Sequence, residues 1–355
     1  MSDHSQILGT AAGGRVGIPL ERRSEPLPLK SRWALRGGEG WEVSGGSGAG
    51  GPAPSLEHIP PPALIHASLR GPKPGEGKGW GDVTQADRVD CEAFWRGLYW
   101  PAVGRVIVVA NQKGGVGKTA TAVNLGAALA ARGRRVFLVD LDPQGGLSAS
   151  LGFDPYRLAV TTRQFFDDRA APLRKMVYPA GPNLWVAPAS VQLEAIDHAP
   201  NANSYLRAVR DGMAEERGPV DYILIDTPPG LGLLTVAGMV AADELLVPVS
   251  CQYLPLRGVR SILEALWLVH DRLQPELQLL GILPTFYDPQ SEHARTVVAE
   301  LRSVFGDRVF TTMLETDEAV AMSPAARKPV VTFQPRGRAA EAYRRLAEEV
   351  AGRRV

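Results

Sequence analysis

Val106-Ile107-Val108-Val109-Ala110-Asn111-Gln112-Lys113-Gly114-Gly115-Val116-Gly117-Lys118-Thr119-Ala120 runs from an apolar strand through a glycine-rich turn into an apolar-periodic helix that opens at Lys118. Glycines let successive backbone N–H groups turn inward around a phosphate, and the helix that follows adds its positive N-terminal end. Lys118 can then reach the β- and γ-phosphates, and the Thr119 hydroxyl can ligate Mg²⁺. Gly114, Gly115, Val116, Gly117 and Ala120 complete the wrap. The expected ligand is a nucleoside triphosphate with Mg²⁺. Gln112 stands where the ordinary loop pattern has its first glycine, and Lys113 adds a second lysine at the loop's entrance.

Working outward, strands and helices alternate from Arg105 onward, the pattern of a doubly wound, mostly parallel α/β sheet. Val106–Ala110 is the first strand, Lys118 to about Arg132 a helix stopped by Gly133, and Val136–Val139 the next strand. Further apolar runs at Leu184–Ala187, Tyr222–Ile225, Leu245–Val249, Leu279–Leu283, Val309–Met313 and Val330–Phe333 supply the remaining strands, and a helix over about Arg338–Arg353 closes the domain. The phosphate-binding turn thus sits inside a βαβ unit.

Carboxylates just past strand ends are the second chemical signal, because metal and attacking water lie at the carboxyl edge of such a sheet. Asp226 follows Tyr222-Ile223-Leu224-Ile225 and is expected to hold Mg²⁺ directly or through a water. Asp140 and Asp142, two apart on an extended segment, share one side of the chain. Asp142 is assigned to orienting the attacking water and Asp140 to supporting the metal shell. Phosphoryl transfer asks for little beyond such positioning and charge neutralisation.

Composition excludes several classes. The 355 residues carry a net charge of +1, so binding to nucleic acid would have to come from a local patch. Cys91 and Cys251 are far apart with no C-x-x-C spacing, which argues against a disulfide framework, a zinc site or an iron–sulfur carrier. No apolar run reaches membrane-spanning length and no signal-peptide core is legible, so a cytoplasmic protein is expected. The first hundred residues hold 18 glycines and 10 prolines, and 11 basic against 11 acidic residues. Residues 1–100 therefore read as a mostly disordered extension rather than a basic DNA-binding arm, and 101–355 as the ATPase domain. Five of the seven tryptophans fall in the extension, where they could anchor a partner; alternatively Val103 marks the true start of translation.

Asn111-Gln112-Lys113-Gly114-Gly115-Val116-Gly117-Lys118-Thr119, Asp140-Leu141-Asp142-Pro143-Gln144-Gly145 and Asp226-Thr227-Pro228-Pro229 together resemble the ParA/Soj partition ATPases. The likeness runs from about Arg105 to the C-terminus and includes Leu231-Gly232-Leu233-Leu234-Thr235 and Ala340-Glu341-Ala342-Tyr343. It implies a homodimer formed on ATP, non-specific DNA binding by that dimer, possible association with the nucleoid, and slow hydrolysis stimulated by a ParB-like partner. In this family the extra lysine, here Lys113, crosses the dimer interface to the partner's phosphates, and Asp142 is catalytic. Adenine would pack against loops beyond the late strands, implicating Thr285–Asp288 and the stretch from Phe333 to Pro335.

The departures bear on cargo. Gln290 occupies a family arginine position, and Glu315-Thr316-Asp317-Glu318-Ala319 replaces Pro-Arg-Asn-x-Arg, so charges associated with DNA contact are lost or reversed. Arg327, Lys328, Arg336 and Arg338 are the candidate replacements, and Arg257 alters charge near the expected interface. Alternatives are a positioning ATPase for a non-DNA cargo and a non-hydrolysing ATP sensor. A membrane-binding C-terminal helix is not expected, because Tyr343, Leu346, Ala347 and Val350 form a stripe better used to close the core.

Overall fold

The computed structural model describes residues 104–167, 171–197, 205–214, 220–252 and 256–353, apart from the side chains of 256 and 257. The expected extension over 1–100, with its tryptophans and Cys91, and the Arg257 side chain lie outside the described residues. Among the described residues, β1 (Arg105–Val109), β2 (Val136–Asp140), β3 (Tyr178–Gly181), β4 (Leu184–Ala187), β5 (Tyr222–Asp226), β6 (Glu244–Ser250), β7 (Gln278–Tyr287) and β8 (Leu314–Glu315) form one sheet. Its order is β3-β4-β2-β5-β1-β6-β7-β8. Every neighbouring pair is parallel except the β3–β4 hairpin.

The helices are α1 (Lys118–Ala131), α2 (Gly146–Ser150), α3 (Leu193–Asp197), α4 (Ala208–Met213), α5 (Leu233–Ala241), α6 (Leu256–Arg272), α7 (Glu292–Phe305), α8 (Glu318–Met322), α9 (Val330–Phe333) and α10 (Arg338–Gly352). They cover both faces of the sheet, which is why the central strands read as unbroken apolar runs. Side chains alternate between two cores. Val106, Val108, Ile223 and Ile225 pack with residues of α5, α6 and α7, while Ile107, Val109 and Leu224 pack with α1 and α10.

The apolar stripe of α10 is spent on this second core, with Tyr343, Leu346, Ala347 and Val350 all buried. Burying each large apolar side chain stabilises the fold by about 1.5–3 kcal/mol. Against a typical net stability of about 5–15 kcal/mol, releasing the stripe to a membrane would cost much of the fold.

Two expected strands are corrected. Val330–Phe333 is the short helix α9, because Pro329 fixes the backbone and its carbonyl accepts the N–H of Thr332 and Phe333. Val309–Met313 makes only one bridge to β7, at Val309. The Glu349 carboxylate of α10 takes the N–H groups of Thr311 (2.7 Å) and Thr312 (2.9 Å), so the ladder resumes only at Leu314.

The chain leaves β1 between β5 and β6, then crosses one way to β2 and later the other way to β7. That is the switch point at which α/β sheets open a crevice at their carboxyl edge. The glycine-rich turn lies there.

Candidate functional site

The turn from Ala110 to Gly117 is built to stay open. Gly115 and Gly117 have φ of 69° and 87°, backbone that residues with a side chain seldom adopt. Buried Asn111 braces the entrance: its Nδ2 donates to the Pro248 carbonyl at 2.7 Å, and its Oδ1 accepts the Lys113 N–H at 3.1 Å. On the opposite side the Thr285 hydroxyl donates to the Val116 carbonyl at 2.9 Å. The Gly230 N–H donates to the Gln112 carbonyl at 2.9 Å, tying the turn to the segment after β5.

Lys118 is only 6% exposed, and its Nζ donates to the Lys113 carbonyl across the turn at 3.2 Å. Burial lowers its pKa, and the charges of Asp226 and Asp142 oppose that shift. Lys113 stands exposed at the entrance and Thr119 is half-buried at the start of α1.

Strand register places the carboxylates. Asp140 and Asp226 are the last residues of β2 and β5 and pair directly, with Val109 of β1 on the other side of Asp226. Asp140 is fully buried and well bonded: Oδ2 accepts the Ser148 N–H (2.9 Å) and hydroxyl (2.6 Å), and Oδ1 accepts the Asp142 N–H (3.1 Å). Burial nonetheless pushes its pKa up to about 7, with the Ser148 bonds pulling the other way and the Asp142 charge adding to the rise.

Asp226 is equally buried, and neither of its oxygens closes a well-directed hydrogen bond. Burial and the Asp140 charge hold its pKa well above the ordinary carboxylate range; the Thr119 hydroxyl and the Lys118 ammonium draw it only partly back. A buried carboxylate with no well-directed hydrogen bond, beside a second carboxylate, is a costly arrangement that a divalent cation relieves. The residues fit such an ion. Among the described residues no cluster of three or more His, Cys, Asp or Glu is placed to hold a metal by itself, so a cation here would draw its remaining oxygens from Thr119, water and phosphate, as Mg²⁺ does at nucleotide sites.

Asp142 is half-buried on the turn beyond β2, where its Oδ1 accepts the Gln144 N–H at 3.0 Å. The structure therefore brings Lys118, Thr119, Asp140, Asp142 and Asp226 to one mouth. Gly117 and Ala120 also border a cleft of about 650 Å³ that runs from the loop toward β8 and α10. Thr285 and Phe286 line it, as do Arg336 and Arg338; Phe333 and Pro335, just upstream of those arginines, do not. Phe333 packs half-buried against the second core, and the Pro335 carbonyl accepts from Arg344. Arg338 lies 3.5 Å from Glu315, while Arg327 and Lys328 precede α9.

Sequence reasoning missed Ser148, and it missed the bracing roles of Asn111, read only as part of the loop motif, and Thr285, expected only near adenine. A lone Ser, Asn or Thr carries no spacing signal, and the bonds of Asn111 and Thr285 reach 137 and 169 positions along the chain.

An AAA-domain family matches residues 104–279. The sporulation initiation inhibitor protein Soj of Bacillus subtilis is 38% identical over 251 residues, 70% of this chain and 99% of its own length. The chromosome partitioning protein ParA of Caulobacter vibrioides is 38% identical over 253 residues, 70% of this chain and 94% of its own. Among solved structures, the cobyrinic acid a,c-diamide synthase of Mycobacterium smegmatis with bound ADP and magnesium is 34% identical with a TM-score of 0.59, covering 69% of this chain and 93% of that one. At those identities over more than two thirds of its length, the chain belongs to the ParA/Soj family of P-loop ATPases.

Proposed function

We propose that the protein is a Mg²⁺-dependent ATPase, slow until stimulated by a ParB-like partner, which acts as an ATP-dependent homodimeric switch in chromosome or plasmid partitioning. The observation that carries this reading is the buried Asp226 carboxylate, without a well-directed hydrogen bond, beside Asp140, Thr119 and Lys118 at the mouth of the phosphate loop. The Soj and ParA relatives supply the partitioning half of it, and the ADP and magnesium of the Mycobacterium smegmatis structure support the ligands.

In this reading the loop amides from Gly114 to Thr119 and the Lys118 ammonium hold the phosphates, Thr119 and Asp226 hold Mg²⁺, and Asp140 fixes the loop that carries Asp142. Bound Mg²⁺ supplies charge neutralisation at the β- and γ-phosphates. Asp142 orients the attacking water, and Lys113 reaches across a dimer interface to the partner's phosphates. The nucleoside lies in the cleft bordered by Gly117 and Ala120, against Thr285 and Phe286 and close to the stretch from Phe333 to Pro335 that leads into Arg336.

The protein acts in the cytoplasm and gathers on the nucleoid when ATP-bound, through Arg327, Lys328, Arg336 and Arg338. No helix among the described residues is long and apolar enough to cross a membrane. Glu315, 3.5 Å from Arg338, lowers the positive potential of that surface and favours, as a second reading, a positioning ATPase whose cargo is not DNA. Sedimentation velocity of the full chain with Mg²⁺ and a non-hydrolysable ATP analogue tests the switch. A shift from monomer to dimer with the analogue but not with ADP is expected, and an unchanged sedimentation coefficient in the presence of bound analogue would refute it.

A further inference from the structure

Beyond the phosphates, the cleft presents an aromatic ring and a pair of opposite charges. Phe286 sits at φ 50°, left-handed backbone that is an outlier for a bulky side chain and persists only where its surroundings impose it. They do so here. Thr285, its neighbour, is fixed on both sides, its hydroxyl donating to the Val116 carbonyl and its carbonyl accepting the Cys251 N–H at 2.8 Å. The ring is thereby held along the loop, and a Cβ placed on Gly117 would lie 3.8 Å from Phe286 Cε2.

The charged pair stands on the same sheet edge. Residues Thr285 and Tyr287 of β7 pair with Leu314 and Glu315 of β8, which carries the Glu315 side chain to the cleft; its Oε2 lies 3.5 Å from Nη1 of Arg338, the first residue of α10. With side-chain exposures of 44% and 84%, such a pair adds little to folding, so its donors and acceptors are available to a ligand.

We propose that Phe286, Glu315 and Arg338 form a nucleobase subsite that accepts guanine as well as adenine, so that the protein binds GTP alongside ATP. This rests on the nucleotide reading above. An aromatic face stacks on either purine without selecting between them. The polar edge does the selecting. A guanidinium presents two donors that match O6 and N7 of guanine, and the two oxygens of a carboxylate match its N1–H and N2–H donors. Adenine offers the carboxylate only its N6 amino group and offers the guanidinium N1 or N7, so it keeps one bond to each partner. Guanine is therefore satisfied at least as fully as adenine.

The test is displacement of a fluorescent N-methylanthraniloyl-ATP from the full chain by unlabelled ATP or GTP in Mg²⁺. Wild type should bind GTP within about tenfold of ATP. Glu315→Ala should weaken GTP, which loses two bonds, about 5–100-fold more than it weakens ATP, which loses one, the discrimination typical of a lost bidentate base contact. Phe286→Ala should weaken both nucleotides by a similar factor of about ten. Circular dichroism keeps the comparison to folded protein, and the exposed Arg338→Ala serves as a second probe of the same edge. If ATP displaces the probe but about a hundredfold excess of GTP does not, or if Glu315→Ala shifts both nucleotides equally, the subsite is wrong and the ATP reading stands. If the probe itself fails to bind, both fall.

Discussion

Lys118 is the residue on which the site's electrostatics turn. Its buried ammonium feels the charges of Asp226 and Asp142, so its removal takes away the phosphate ligand of the proposed site and a cation that balances two carboxylates. Lys118→Ala should therefore weaken ATP binding by a factor of about a hundred or more in calorimetric titration, the loss expected when a charge pair is broken in a buried site. Asp140 and Asp226 make a pH prediction. Both titrate above the ordinary carboxylate range in the fold, so the ligand-free protein keeps protons that the unfolded chain has released. Its stability falls as pH rises from about 4 toward 7 and beyond. Mg²⁺ with ATP favours the charged forms, so the increase in melting temperature it produces should grow between about pH 6 and pH 8, by some 2–4 °C for each kcal/mol of linkage. Asp140→Asn should flatten that growth; a ligand-induced shift that is the same at every pH would place the cation away from these carboxylates. Lys118, Thr119 and the three aspartates were legible in the sequence because phosphate chemistry demands those residue types beside a strand end. Ser148 and the bracing role of Asn111 were not, since the fold alone brings these residues to their partners.

At the scale of elements, Glu349 shows how one side chain edits a sheet. Burial raises its carboxyl, but the N–H groups of Thr311 and Thr312 and the Arg353 guanidinium outweigh that, and its pKa lies below the usual range. A depressed carboxyl contributes stability that is present above its unfolded value and disappears as pH falls through the folded one. Glu349→Gln should thus cost about 1–2 kcal/mol at pH 7, the size of hydrogen bonds to a charged acceptor. In urea unfolding the difference from wild type should shrink below about pH 4.5; a penalty that persists undiminished in acid would mean packing rather than charge is at work. Central strands such as β1 and β5 were readable because burial on both faces makes them continuous apolar runs. The run Val309–Met313 misled for the reason just given, and Val330–Phe333 because its β-branched residues follow a proline that starts a turn. The edge strand β3, Tyr178-Pro179-Ala180-Gly181, carries a proline and a glycine and gave no strand signal.

For the whole molecule, the central claim is that the catalytic site is shared between two copies. One protomer brings Asp142, Lys118 and Asp226 to a single mouth, while Lys113 stands exposed at the loop's entrance, its backbone carbonyl accepting from Lys118 Nζ. If Lys113 serves the partner's nucleotide, a dimer of one Lys113→Ala and one Asp142→Ala protomer contains one complete site and one doubly damaged site. Phosphate release from ATP should then be near background for each variant alone, with binding largely kept. An equimolar mixture should recover up to about a quarter of the wild-type rate, since random pairing under twofold symmetry makes half the dimers mixed and each of these holds one intact site. A mixture that stays silent although both variants bind ATP, or a Lys113→Ala protein that hydrolyses at the wild-type rate by itself, would contradict the shared site.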